Sequence, residues 1–164
     1  MGSSIDRVPA SDDAGTPPFA RYPSGGRVLL GRIGGANARR EYGRRLHLLT
    51  GERCCAYCGL DLYARYETWL LLQVDHVVPV GVAKALGIPD VFVSDAINLV
   101  LACAGCNGFD NRYLAGVEPR TDWDLDAFLA LREATFAARY ERIAARRAIE
   151  SAYFEQERDR LGGA

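Results

Sequence analysis

The chain has 164 residues, 49% of them hydrophobic, with a formal net charge of −1 and a sequence pI of about 6.1. That is enough apolar material for one domain with appended segments, and it excludes a globally basic nucleic-acid binder, so any phosphate-binding surface must be local. No run approaches the roughly 20 apolar residues of a transmembrane helix, and the N-terminus lacks the charged start and apolar stretch of a secretion signal, so no membrane partner and a cytoplasmic location are expected.

Residues 1–26, "MGSSIDRVPASDDAGTPPFARYPSGG", are rich in Gly, Pro, Ser and Asp without apolar periodicity, the composition of a disordered arm. The glycines of "GRVLLGRIGGA" read as a turn, because no Gly-Lys-Ser/Thr follows them. From Asn37 to Thr50 the spacing predicts a helix, with Leu46 and Leu49 near one face, arginines on the others and Gly51 as its stop. Arg44 and Arg45 are candidate phosphate contacts there, against the commoner outcome of a solvated charged face. His47 has no ligand partner nearby and reads as structural.

"TWLLLQVDHVVPV" reads as two strands of a hairpin, or as a strand with its exit, and Pro79 argues against a central strand beyond it. Asp75 and His76 stand side by side inside this apolar run. Alternation must turn one of them into the interior, a cost that some function should offset. "GVAKALG" suggests a short helix; "SDAINLVLACAGCNGFDNRYL" passes from a loop through a cysteine pair into another helix. After Pro119 the pattern is strongly helical, capped by Thr121 or Asp122, with Leu125, Phe128, Leu129, Phe136, Tyr140 and Ile143 at mostly helical spacing. At about 1.5 Å per residue such a helix outruns a small core, so it either folds back or projects toward a partner.

Four of the five cysteines form two C-x2-C pairs, "CAYC" at Cys55 and Cys58 and "CAGC" at Cys103 and Cys106. Such turns set two thiolates on one side of an ion, and two of them complete a tetrahedral zinc site. A redox role would call for a thioredoxin-like βαβ pattern, which is absent. Cys54 is left over and expected to be free. With the cysteines assigned, Asp75, His76, Asn98 and Asn107 remain as polar residues in apolar or knuckle contexts, on a strand, a loop and a helix start that could converge on one divalent ion.

In order and spacing, "CAYCG", "VDHVVPV" and "NLVLACAGCN" resemble the motifs of the HNH nuclease family over residues 53–113. The resemblance implies an α+β fold: a ββα-metal (HNH/His-Me finger) core with a four-cysteine zinc site, flanked by an N-terminal helix and a long C-terminal helix. It divides the chain into an arm (1–26), a nuclease domain with zinc knuckles (27–118) and a C-terminal helical extension (119–164). It makes His76 the general base toward water, Asp75 and Asn107 the ligands of a catalytic Mg2+ or Mn2+, and Asn98 a residue that orders the loop and the base. Asn107 stands where the family often has histidine, which moves metal preference toward harder ions. The basic residue that many relatives carry after the last cysteine is replaced by Asp110, so Arg112 becomes the candidate phosphate contact, and Asp110 or Asn111 could join the metal shell.

The implied activity is hydrolysis of DNA phosphodiesters to 5′-phosphate and 3′-hydroxyl ends. The expected partners are DNA, a second copy of the chain through the C-terminal helix, and a protein that confers specificity. The alternative is a noncatalytic zinc module that binds nucleic acid or a protein, for which the triad of Asp75, His76 and Asn107 would serve no purpose.

Overall fold

In the computed structural model, residues 30–31, 34–35, 38–109 and 116–162 are described. The expected arm at 1–26 and the candidate site residues Asp110, Asn111 and Arg112 lie outside them. The elements are α1 (Ala38–Thr50), α2 (Tyr66–Leu70), β1 (Leu72–His76), α3 (Val80–Ala85), α4 (Asp90–Val93), a 3-10 turn (Ala96–Asn98), β2 (Leu99–Cys103), α5 (Ala104–Phe109) and α6 (Leu125–Gly162). The architecture is mixed α+β around a two-stranded antiparallel sheet, in which Leu72 pairs with Cys103 and His76 with Leu99.

Alternation along β1 gives each face of the sheet its cover. Leu72, Val74 and His76 look toward α1, whose Gly43 lies so close that an added Cβ would sit 2.1 Å from Leu72 Cδ2. Gln73 and Asp75 look toward α5 and α6. Gly43→Ala is therefore expected to destabilise. The helix propensity gained is about 1 kcal/mol, against roughly 1–3 kcal/mol for overpacking a leucine with no exposed surface. A lowered thermal midpoint checks this, and a raised one would show that Leu72 rotates away at little cost.

Two apolar clusters fill the interior. One gathers Leu46, Tyr57, Leu62, Leu72, Leu101 and Ile143 around the sheet and the cysteines; the other gathers Val78, Val82, Leu86, Val93, Phe128 and Leu131 around α3 and α4. The residues of α6 belong to both, so its first half is part of the core. Its N-cap is Asp124, whose Oδ1 accepts from Ala127 N at 2.8 Å, in place of the expected Thr121 or Asp122. Leu125 and Tyr140, counted in its apolar pattern, are exposed.

The hairpin expectation also needs correction. "TWL" is the end of α2, with Leu71 as its C-cap, so the segment is a strand with its exit, and β1 pairs with β2 across the intervening α3 and α4 instead of with a neighbour. Thr68 holds the turn of α2, its hydroxyl donating to Arg65 O at 2.9 Å and accepting from Arg65 N at 3.3 Å. Pro79 ends the extended segment and caps α3, which stops at Gly87 (φ 73°).

Candidate metal centre and the polar residues around it

The first knuckle is a turn in which the Cys58 and Gly59 amides both donate to Cys55 O, with Gly59 at φ 72°. It is fastened to the sheet by Ala56 N donating to Leu101 O at 2.8 Å. The second knuckle leaves β2 at Cys103 and turns into α5, where Cys106 N donates to the Cys103 sulfur at 3.4 Å. One sulfur from each of Cys55, Cys58, Cys103 and Cys106 lies within 4.8 Å of the other three. Tetrahedral bonds of about 2.3 Å require sulfurs roughly 3.8 Å apart, and Cys58 and Cys103 stand 3.9 Å apart. The Cys106, Cys55 and Cys58 thiols pull Cys103 far below the ordinary thiol range, while Cys106 is pushed up by Cys103 and then by Cys55. Four thiols so crowded cannot all ionise without a cation between them, and the group suits a metal ion such as zinc. Cys54 stays outside, in a bridge to Asp61, its thiol pushed up by burial.

Asp75, 7% exposed, is held by two residues that sequence reasoning missed. The Tyr57 hydroxyl donates to its Oδ2 at 2.7 Å, and Arg139 Nη2 forms an ion pair with the same oxygen at 2.8 Å. Burial raises the carboxyl above its ordinary range, with Arg139 and the tyrosine hydroxyl opposing. Arg139 is fully buried: its Nη1 donates to His76 O at 2.8 Å and Val77 O at 2.9 Å, and its guanidinium lies 5.3 Å from the Tyr57 ring centroid. Seven residues earlier on the same face, Arg132 Nη1 donates to Ile97 O at 3.0 Å. The signal was available in the sequence: Arg132, Thr135 and Arg139 share a helical face with Phe128 and Ile143, where solvated arginines would not be placed.

Asn107 on α5 donates through Nδ2 to Gln73 Oε1 at 2.6 Å, and Gln73 lies two residues before Asp75 on the same face of β1. His76 points the other way. It lines a cavity of about 390 Å3 with Leu30, Tyr42, Val74, Ser94 and Leu99, and burial pushes its imidazole below the ordinary value. Asn98, fully buried, ties together the chain on either side of α3 and α4. Its Oδ1 accepts from Val78 N at 2.9 Å, and its Nδ2 donates to Val78 O and Val93 O, both at 3.1 Å. The structure thus gathers Asp75, Gln73 and Asn107 on one face of the sheet and leaves His76 on the opposite face.

The two candidate arginines of α1, Arg44 and Arg45, are engaged. Arg44 makes a two-pronged contact with Glu41 at 2.8 and 2.7 Å, which holds the glutamate down at about 2. Arg45 contacts Glu41 at 3.3 Å and donates to Leu30 O. His47 Nδ1 donates to Glu52 O, 2.7 Å away, and its ring packs on Tyr63. Among the described residues no helix is long and apolar enough to cross a membrane. Comparison of the chain with models of protein families, with curated proteins and with solved structures finds no match.

Proposed function

We propose that the chain is a metal-dependent DNA endonuclease of the HNH type, with β1, β2 and α5 as a ββα-metal core resting on a zinc site. The observation that carries this reading is the Asn107–Gln73 hydrogen bond, which brings the amide of α5 onto the face of β1 that bears Asp75. The donor set suits a hard divalent ion. Asn107 Nδ2 is committed to Gln73 and Asp75 Oδ2 to Tyr57 and Arg139, so the Oδ1 atom of each is the oxygen left for Mg2+ or Mn2+. Such an ion, when bound, would neutralise charge on a scissile phosphate.

His76 is the base in this reading. Its depressed imidazole pKa keeps it neutral at pH 7, able to take a proton from water. It is the last residue of β1, in a sheet of two strands among the described residues, and a phosphodiester drawn across that end of the strand would meet both faces. Asn98 serves as a positioning residue by clamping Val78, two residues beyond the base, to Val93. Arg44 and Arg45 would reach phosphate only by exchanging Glu41 for it, which leaves Arg112 or a specificity-giving protein to supply further contacts.

Two observations favour the second reading, a noncatalytic zinc module that binds nucleic acid or protein. Asp75 already has its counterion in Arg139, and His76 lies across the sheet from it.

Relaxation of supercoiled plasmid with Mg2+ or Mn2+ separates the two. Under the nuclease reading the wild type nicks, EDTA stops it, and His76→Ala lowers the rate by about 100-fold or more. Asn107→Ala loses activity as well while keeping its zinc content and melting temperature. Absence of cleavage by folded, zinc-loaded wild type would favour the binding module.

A further inference from the structure

The distal half of α6 carries an apolar face that lies outside both core clusters among the described residues, with Phe109 of α5 near it, 6.0 Å from the Arg146 guanidinium. Ile143 is the last buried residue of the helix, and residues 144–162 continue for roughly 28 Å at about 1.5 Å per residue. Along them Ile149, Tyr153, Phe154 and Leu161 are 62%, 58%, 60% and 79% exposed. At about 100° per residue the four fall within an arc of roughly 140°, with Arg146, Glu150 and Glu157 between them. Most helical stability in proteins comes from packing of an apolar face, and this stretch of α6 has little of it among the described residues. The ion pairs along it, Arg146–Glu150, Arg158–Glu155 and Arg160–Glu157, contribute only a few tenths of a kcal/mol each.

We propose that this face docks a second copy of the chain, antiparallel across a twofold axis. Charge selects both the occupant and its direction. Residues 144–151 carry two arginines against one glutamate, and residues 152–162 carry three acids against two arginines. An antiparallel copy sets each half against the half of opposite sign, whereas a parallel copy sets like against like. When Ile149 faces Phe154 of the second copy, Arg146 falls opposite Glu157, each sharing the partner it has within its own helix, Glu150 and Arg160, and the twofold axis repeats both pairs. Burying the four apolar side chains of both copies removes on the order of 1,000 Å2 from water, the lower range for a specific interface. The inference does not depend on the catalytic reading.

Sedimentation equilibrium of the full, zinc-loaded chain tests it. The expected mass is twice the 18.0 kDa of one chain. Tyr153→Glu gives monomer, and Arg146→Glu and Glu157→Arg each weaken dimerisation about fivefold or more, equivalent to about 1 kcal/mol. The double variant Arg146→Glu/Glu157→Arg recovers it, because the swap restores both cross-pairs at once. Thermal melts confirm that each variant is folded. A wild type that stays monomeric at every concentration overturns the proposal. So does a dimer indifferent to Tyr153→Glu, or a double variant that fails to recover, since the second copy would then lie elsewhere or in another orientation.

Discussion

Cys58→Ser is expected to lose its bound metal and the cooperative thermal transition of the sheet region, and stripping the wild type with a chelator is expected to do the same. The four thiols come from two turns that the chain reaches 45 residues apart, between Cys58 and Cys103, and each turn is fastened to β2. Without a cation, the crowded sulfurs repel as they ionise, which works against the backbone hydrogen bonds and apolar contacts that hold the two turns to β2. Structural zinc sites contribute roughly 10–16 kcal/mol in small domains, comparable to the whole stability of a domain of about 5–15 kcal/mol. Metal analysis and melting followed by circular dichroism check the result. Unchanged melting and metal content in the variant would refute the four-cysteine assignment.

The second large effect is expected at Arg139. Arg139→Met removes the counterion of a carboxylate that is 7% exposed and leaves two strand-end carbonyls without their donor. Breaking a buried pair from one side costs about 3–5 kcal/mol. For a chain of this size that corresponds to a fall of roughly 6–20 °C in melting temperature. Asp75→Asn combined with Arg139→Met should cost less than the sum of the two single variants, because the unpaired charge is then gone. The double variant should still fall short of the wild type, since the carbonyls of His76 and Val77 stay unsatisfied. Strict additivity in urea melts would show that Asp75 and Arg139 do not interact.

The elements that were legible in the sequence are those whose signal is local. α1 and α6 follow from long runs at helical spacing, α3 from its flanking proline and glycine, and the cysteine group from two short motifs whose geometry is nearly complete within four residues. α2 was misread as strand because "TWL" is too short for a period of 3.6 to be told from one of 2. Its helical turn is settled by the Thr68 hydroxyl at Arg65 and by packing on the sheet. The pairing of β1 with β2 is equally hidden, since nothing local in either strand names a partner that lies beyond α3 and α4.

The sequence by itself determined that a metal-binding cysteine group, an Asp-His pair in an apolar strand and a long C-terminal helix exist, because residue type and near-neighbour spacing carry those signals. Only the tertiary structure decided what surrounds the pair. The antiparallel register sends Asp75 toward α5 and α6 and His76 toward α1, and the turn of α6 that carries Arg139 closes on the end of β1 from 64 positions away. A buried carboxylate must find its counterion, but which arginine supplies it depends on where the helix packs, and that is a property of the whole core.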